Sequence, residues 1–456
     1  MRILLIVAVL AIPMAAAPAL SSDEIAAFEQ GRTIDAMPAI LDRHARTEAT
    51  NRLLRDRLEN LLPRLMRETG IDCWIVANRE YAEDPVYLTL VPEPVFAARR
   101  TTLLVFFDRG GDEGVERLTV SRYALGDFYE SAWEGGSLDE QWTRLAEVVR
   151  ERDPAAIGIN VSEHWPFGDG LTKGLHDRMA RAFGDELMAR TRSAEDLCVR
   201  WLETRTELEL EVYPQVVAIA RRVIAEAFSN RVVTPGVTTA DELRWWMRQR
   251  FAELDLPIWF MPYLNVQRRG LVYEQDADFF GESDTILHRG DVLHTDVGIR
   301  MLRLSTDTQE MAYVLREGEE DVPRGLRDAM AVGNRWQDIL CRNFVTGRTG
   351  NQILAATREQ SAAAEILGCV YTHPLGHFGH AAGPTIGMWD NQGPTPIRGD
   401  WKLFPNTCYA IEGNVKVRVP EWDDQWVQIK LEQDAVFDGK RVRYLAGRQT
   451  KWHVIR

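Results

Sequence analysis

Two segments of the chain carry pairs of carboxylates at a spacing that suits one face of a β-hairpin. In the first, GDVLHTDVGIRMLRLSTDTQEMAYVL (290–315), polar and apolar residues alternate on both sides of a bend expected near Met301 and Leu302. A bend there places Asp296 directly opposite Asp307. Because facing Cβ atoms are only about 5 Å apart, like charges at such positions destabilise a sheet. We therefore expect another group to neutralise this pair.

The second segment, CYAIEGNVKVRVPEWDDQWVQIKLEQDAVF (408–437), has its turn at residues 420–424. Folding there sets Glu412 against Glu432, again on one face. Either pair alone is better interpreted as solvated surface acids, because acidic side chains are mostly exposed. Two pairs flanked by apolar residues instead favour a shared buried site.

Three of the nine histidines lie between the two acidic segments, in YTHPLGHFGHAAGPTIG (371–387), at positions His373, His377 and His380. A lone histidine is more often structural than a ligand, but imidazole and carboxylate groups together are typical ligands of transition metals. Four carboxylates and one imidazole suit two divalent cations that share a water molecule, with Mn²⁺, Co²⁺ or Zn²⁺ favoured over copper. Glu412 could then serve both as a ligand and as a general base.

The remaining sequence predicts the elements that position these groups. A helical pattern over 51–69 ends at Gly70, and buried strands are expected at 73–76, 101–107 and 155–161. Residues 45–190 are therefore predicted to form an α/β domain. From about residue 195, two helical units each precede strand-like acidic segments, which suggests two related halves within 195–456. The predicted fold class is α+β.

Composition excludes some classes of partner and indicates export. The formal net charge of −14 argues against nucleic acid binding, which needs clustered Lys and Arg. Residues 1–20 have one Arg, an apolar run and then small residues, the pattern of a cleaved signal peptide; a buried N-terminal helix is the alternative. The apolar run is too short for a stable membrane anchor, so we expect a periplasmic or secreted protein that leaves the membrane once the signal is removed. The five cysteines are scattered, without a CxxC pair or an evident disulfide framework.

At the acidic and histidine segments the sequence resembles the pita-bread metallopeptidases, which include aminopeptidase P, prolidase and creatinase-like proteins. Gly290, Asp291 and Gly298 match the setting of the first ligand, and HPLGHF (373–378) is similar to the HGLGHF run of prolidases. The resemblance implies a catalytic domain over 195–456, a creatinase-like domain over 45–190 and two bound divalent cations. It also implies the metal ligands Asp296, Asp307, His377, Glu412 and Glu432.

By the same resemblance, the substrate is a short peptide with proline after the scissile bond, His373 lines the substrate site, and the protein can form a homo-oligomer. Three positions depart from the family pattern: Pro384 and Phe279 stand where histidines are expected, and Lys430 replaces an arginine. His380 could substitute for the missing histidine at 384. Two alternatives stay open: a hydrolase of another amide or ester, and a non-catalytic peptide-binding protein with a vestigial metal site.

Overall fold

The computed structural model describes residues 34–271 and 285–456. The predicted signal peptide (1–20) and Phe279 lie outside the described residues. Within those residues, no helix has the length and apolar character needed to cross a membrane. All five cysteines lie within the described ranges as free thiols.

A mixed sheet forms the core of the N-terminal part. In the described chain its strand order is β4-β3-β2-β1-β5-β6. The strands are β1 (Cys73–Arg79), β2 (Thr101–Asp108), β3 (Val115–Ser121), β4 (Glu130–Ser131), β5 (Ile157–Ile159) and β6 (Thr191–Ser193). The predicted strands at 73–76, 101–107 and 155–161 correspond to β1, β2 and β5. Their apolar residues are buried on both faces of the sheet, which explains their continuous hydrophobic runs.

Helices cover both faces of this sheet. They are α1 (Arg43–Asp56), continued through a π-helical turn (Arg57–Leu61) into α2 (Leu62–Thr69), followed by α3 (Tyr87–Leu90), α4 (Leu138–Arg152) and α5 (Lys173–Met188). The helical segment predicted for 51–69 begins earlier, at Arg43, where Asp42 accepts a capping hydrogen bond. It ends as predicted at Gly70, which adopts the left-handed conformation with φ 65°.

The C-terminal part is built on a second sheet with the strand order β12-β14-β15-β11-β8-β7 among the described residues. Its main strands are β7 (Tyr263–Gln267), β8 (Val292–Val297), β11 (Thr308–Val314), β12 (Leu367–Val370), β14 (Thr407–Val419) and β15 (Gln425–Phe437). The short strands β13 (His373–Leu375), β16 (Val442–Tyr444) and β17 (His453–Ile455) pair with β14, β15 and β11, respectively. A small two-stranded ribbon, β9 (Arg300–Met301) and β10 (Leu304–Ser305), forms the tip of the first acidic hairpin.

The second sheet consists of two halves with the same plan. After the connecting helix α6 (Glu195–Glu203), the first half has the helix pair α7 (Glu207–Ala227) and α8 (Ala240–Glu253), the edge strand β7 and the hairpin β8–β11. The second half has α9 (Arg324–Arg342), α10 (Gly350–Ala363), the edge strand β12 and the hairpin β14–β15. Thr239 and Thr349 form equivalent capping boxes at the second helix of each pair. The predicted α+β class with two related halves is therefore confirmed, whereas the domain limits 45–190 and 195–456 stay predictions.

The two acidic hairpins differ in how well their register was predicted. Glu412 lies directly opposite Glu432, as expected. The prediction that Asp296 lies opposite Asp307 is wrong, because Asp296 pairs with Gln309 instead. The turn residues are Leu302 and Arg303, both with positive φ, one position later than expected. Moving the turn by one residue moves each partner by two, so Asp307 keeps the same face but lies two residues nearer the turn than Gln309, the true partner of Asp296.

Candidate metal centre

The predicted carboxylates converge where the two hairpins meet in the sheet. Across neighbouring strands, Glu412 on β14 pairs with Glu432 on β15, Glu432 with Gln309 on β11, and Gln309 with Asp296 on β8. Asp307 precedes β11 on the same face. Asp296, Asp307 and Glu432 can present oxygen atoms that all lie within 4.8 Å of one another. This is the separation expected of groups that can share a metal ion.

Several of these side chains have buried polar atoms without a hydrogen-bond partner. They include Asp296 Oδ1, Asp307 Oδ1 and Glu432 Oε1, and also the Nε2 atoms of His373 and His377. Leaving such atoms unpaired costs free energy, so most buried polar groups have partners. Oxygen and imidazole nitrogen are suitable donors for Mn²⁺, Co²⁺ or Zn²⁺. The residues present therefore fit a cluster of divalent cations.

His377 has the environment of a metal-binding imidazole. Among the described residues, however, the groups of potential ligand atoms that lie within 4.8 Å of one another include His373 and His380 and not His377. The Nδ1 atom of His377 lies 3.0 Å from the carbonyl oxygen of Arg303, to which it can donate, so Nε2 keeps its lone pair. Burial and the charges of Arg205 and Arg57 hold the pKa of His377 well below its usual range. The side chain is therefore neutral, the form that binds metals.

His373 is the imidazole closest to the carboxylates. Its Nε2 atom lies 3.4 Å from Asp307 Oδ2, 3.5 Å from Glu432 Oε1 and 3.7 Å from Glu412 Oε2. Burial acts to lower the pKa of His373, but the neighbouring glutamates outweigh burial and raise it to about 9. In the metal-free protein, a protonated His373 therefore offsets part of the negative charge of the cluster.

The carboxylates themselves respond to burial and to one another. Burial first, and then the adjacent carboxylates, raise the pKa of Asp296, Asp307 and Glu412 well above the usual range. Without cations, folding therefore favours proton uptake by these groups. Bound cations would favour the ionised forms instead, so protons and metal ions compete for this site.

Three residues of the site were missed by the sequence analysis. They are Gln309, His294 and Asp434. Gln309 lies on β11 between Asp296 and Glu432, and its Oε1 atom lies 2.7 Å from the Nε2 atom of buried His294. Asp434 accepts a 3.0 Å hydrogen bond from the backbone N–H of Asp307. Alternation along β15 could have indicated Asp434, because residues two apart share a face with Glu432. Gln309 would have followed from the correct position of the first turn.

The rim of the site is aromatic. The His380 ring lies 4.6 Å from that of His373 and 5.2 Å from that of Trp259, both nearly perpendicular, and its Nε2 is 3.4 Å from the Tyr371 hydroxyl. Trp259 packs so tightly over Gly379 that a Cβ atom there would lie 2.1 Å from the indole. Glycine is therefore required at this position, because any side chain would prevent the close approach of Trp259.

Two of the departures from the family pattern can be located. Lys430 extends its amine to 5.9 Å from the centre of the Tyr263 ring. Burial lowers the pKa of Lys430, and the charges of Asp296 and Glu412 act in the opposite direction. Pro384 is buried and offers no titratable group, so it cannot take the part of a histidine.

Comparisons with solved structures agree with this architecture. X-Pro aminopeptidase from Thermotoga maritima is 18% identical over 86% of this chain and 99% of its own, with a TM-score of 0.61. Xaa-Pro dipeptidase from Bacillus anthracis is 16% identical over 90% of this chain and 99% of its own, with a TM-score of 0.55. Prolidase from Pyrococcus furiosus is 14% identical over 85% of this chain and all of its own, with a TM-score of 0.54. At these identities the likeness establishes the fold, and it confirms the predicted pita-bread architecture.

Sequence comparison supplies the family. No curated protein sequence matches this chain. The model of metallopeptidase family M24 matches residues 211–438, which is half of the chain and includes both acidic hairpins and the histidine segment. The chain therefore belongs to metallopeptidase family M24.

Proposed function

We propose that this protein is a dinuclear metal-dependent aminopeptidase or dipeptidase that hydrolyses short Xaa-Pro peptides. The observation that carries the proposal is the set of unpartnered buried oxygen atoms on Asp296, Asp307 and Glu432 where the two hairpins meet, together with the unpartnered Nε2 atom of His377. With Glu412 these residues form the proposed ligand set, and Mn²⁺ is the favoured cation, with Co²⁺ or Zn²⁺ as alternatives. When bound, two such cations supply an acidified water nucleophile and polarise the peptide carbonyl group.

The chain's own residues would handle the protons and the substrate. Glu412 is the proposed general base, because it is the least enclosed ligand of the second hairpin, with 13% of its side chain exposed. His373 and His380 are the proposed catalytic histidines, since their rings lie in contact at the rim beside the carboxylates. Burial and the charge of His373 lower the pKa of His380 to about 4, so it can offer a neutral imidazole to the substrate at neutral pH.

The Xaa-Pro preference is supported by the aromatic rim. Trp259 is half-buried, and its indole N–H donates a 2.8 Å hydrogen bond to the carbonyl oxygen of Thr306, which fixes the ring. A fixed indole beside the site is a suitable surface for a proline ring. The names of the similar solved structures, X-Pro aminopeptidase, Xaa-Pro dipeptidase and prolidase, support the same preference.

The test is hydrolysis by protein loaded with Mn²⁺, Co²⁺ or Zn²⁺. Xaa-Pro dipeptides and Xaa-Pro-Yaa tripeptides are compared with the same peptides carrying alanine in place of proline. We expect cleavage before proline, reduced at least ~100-fold in Glu412→Gln, a loss in the range of a general base. Glu359→Gln, which changes an exposed glutamate on α10, is the matched control and should keep full activity. Metal-loaded, folded protein that cleaves none of these peptides would refute the substrate assignment.

A hydrolase of another amide or ester is a second candidate, favoured by Pro384 and Lys430 at positions where the family pattern differs. A peptide-library digest read by mass spectrometry separates the two candidates. Cleavage limited to the bond before proline supports the first, and turnover of non-peptide amides or esters alone supports the second. A protein that binds peptides but neither metal nor a hydrolysable substrate would instead be a binding protein with a vestigial site.

We also propose that the protein is exported, with residues 1–20 removed, that it acts in the periplasm or outside the cell, and that it forms a homo-oligomer. The support is the charge and apolar pattern of the leader. N-terminal sequencing of the mature protein from the extracytoplasmic fraction tests the cleavage, and light scattering tests the oligomeric state. Recovery of the intact leader in cytoplasmic protein would contradict export.

A further inference from the structure

The carboxamide of Gln309 lies at the centre of the proposed ligand set. Its Nε2 atom donates hydrogen bonds of 2.7 Å to Glu412 Oε1 and 2.8 Å to Glu432 Oε2, and it lies 3.4 Å from Asp296 Oδ2. The side chain is only 5% exposed, and the backbone of Gln309 pairs with both Asp296 and Glu432. This one amide therefore contacts carboxylates from both hairpins.

The surroundings fix the orientation of the amide. Carboxylate oxygens accept hydrogen bonds, so the NH₂ group must face them and Oε1 must face away. Oε1 lies 2.7 Å from His294 Nε2, which must then carry the proton. His294 is only 2% exposed, and its other ring nitrogen, Nδ1, has no hydrogen-bond partner among the described residues. His294 thus donates a hydrogen bond to Gln309, and Gln309 donates hydrogen bonds to the carboxylates.

The amide divides the carboxylate oxygens into two sets. Glu432 Oε2 is bound by Gln309, whereas Glu432 Oε1 has no hydrogen-bond partner. For Asp296, Oδ2 is the oxygen near the amide, and Oδ1 is the unpartnered one. The Gln309 amide nitrogen can donate hydrogen bonds but cannot bind a cation, and each hydrogen bond that it donates occupies one lone pair of a carboxylate oxygen and leaves the others for a cation.

We propose that Gln309 is a positioning residue that stabilises the metal-free carboxylates in place of a cation and gives up part of its hydrogen bonding when metal binds. The inference rests on the proposed metal-dependent function. Hydrogen bonds to a full negative charge are stronger than those to a neutralised group. The Gln309 amide therefore stabilises the metal-free state more than the loaded state, and by linkage it weakens metal binding. A residue that merely supported the fold would not have this effect.

The experiment compares wild type with Gln309→Met, which keeps the side-chain length and removes the amide. Metal-free protein is unfolded in urea, and Mn²⁺ is titrated into folded protein by calorimetry at pH 8. We expect Gln309→Met to be less stable than wild type without metal and to bind Mn²⁺ at least ~10-fold more tightly, a change of about 1.4 kcal/mol. Gln309→Thr, whose side chain is too short to reach both glutamates, should shift both quantities in the same direction and serves if the Met variant does not fold.

Gln433→Met is the matched control. Gln433 is the neighbouring buried amide on the opposite face of β15, where it accepts from Gln337 and donates 3.1 Å to the backbone oxygen of Gln309. Its loss should lower stability without changing Mn²⁺ affinity. Unchanged or weaker Mn²⁺ binding in both Gln309 variants would overturn the inference while leaving the proposed function intact. Wild-type protein that binds no Mn²⁺, Co²⁺ or Zn²⁺ would instead overturn the proposed function, and this inference with it.

Discussion

Removing the charge of either of two buried acids near the start of strand β11 should change the free energy of unfolding, in opposite directions for the two residues. Asp307 is 3% exposed and faces several carboxylates, with His373 as a basic group that offsets part of their charge, whereas Glu310 is 1% exposed and faces Arg221 and His453. Arg221 Nε lies 2.6 Å from Glu310 Oε1, and His453 Nε2 contacts the other oxygen. We predict that Asp307→Asn stabilises the metal-free protein and that Glu310→Gln destabilises it.

The magnitudes follow from the distances and the burial. Two charges 4.8 Å apart, the limit that encloses oxygens of Asp307, Asp296 and Glu432, repel by about 3 kcal/mol at an effective dielectric constant of about 20. Proton uptake relieves part of this repulsion, so Asp307→Asn should raise the free energy of unfolding by ~1–3 kcal/mol at pH 8. Glu310→Gln leaves buried Arg221 without its counter-charge and should lower it by ~3–5 kcal/mol.

The contributions of Asp307 and Glu310 to the free energy of unfolding should also change with pH, in opposite directions. The pKa of Asp307 is raised in the folded state, so ionisation costs stability as the pH rises above the unfolded value of 3.8, and the advantage of Asp307→Asn should grow. Burial alone would raise the pKa of Glu310, but Arg221 and His453 lower it to about 2. The contribution of Glu310 is therefore complete above 4.5 and is lost as the pH falls towards 2.

The assay is urea denaturation of chelator-treated protein between pH 3 and 8, followed by tryptophan fluorescence, with the same samples repeated in Mn²⁺ between pH 6 and 8. Added Mn²⁺ should stabilise wild type and Glu310→Gln but have little effect on Asp307→Asn, which lacks a proposed ligand. If Asp307→Asn destabilises the metal-free protein as strongly as Glu310→Gln, the electrostatic interpretation of the cluster is refuted.

Three further predictions concern packing, the rim and a helix cap. Gly379→Ala places a methyl group 2.1 Å from the Trp259 indole, so it should lower the free energy of unfolding by ~1–3 kcal/mol and raise KM for Xaa-Pro peptides. Gly174→Ala, at a position with open space, is the control and should leave both quantities within error of wild type. His380→Phe keeps a ring at the rim without its nitrogen atoms, so kcat/KM should fall at least ~10-fold at unchanged metal content, and full activity would exclude a catalytic role. Thr349→Ala removes the hydroxyl that caps α10 and should lower the free energy of unfolding by ~1 kcal/mol, measured in urea, with no change in kcat.

The sequence was most informative where turn chemistry and alternation agree. In the second hairpin, Pro420, Asp423 and Asp424 are residue types that favour turns, so the pairing of Glu412 with Glu432 could be predicted. In the structure both aspartates adopt the positive φ angles that such a turn requires. The first hairpin turns on a leucine and an arginine with positive φ, residues that do not mark such a turn. The turn was therefore misplaced by one position.

That error preserved the face of the strand but hid the true partner of Asp296. Alternation has a period of two, so a shift of two in the partner leaves every side chain on its predicted face. Asp307 was accordingly expected on the correct face, while Gln309 escaped notice. The imidazole contacts of His373 could not be predicted either, because they depend on how a glycine-rich segment packs against the sheet.

The row of side chains through Gln309 and Glu432 has a mechanical consequence. The two halves of the second sheet join where β11 pairs with β15. Among the described residues, Gln309 and Glu432 are the one residue pair in register between these two strands. Asp296 and Asp307 belong to the first half of the sheet and Glu412 and Glu432 to the second, so cations bound by all four would cross-link the two halves. Loss of metal should then loosen the joint before it unfolds either hairpin, and hydrogen exchange at the backbone amides of 309 and 432 would report that loosening directly.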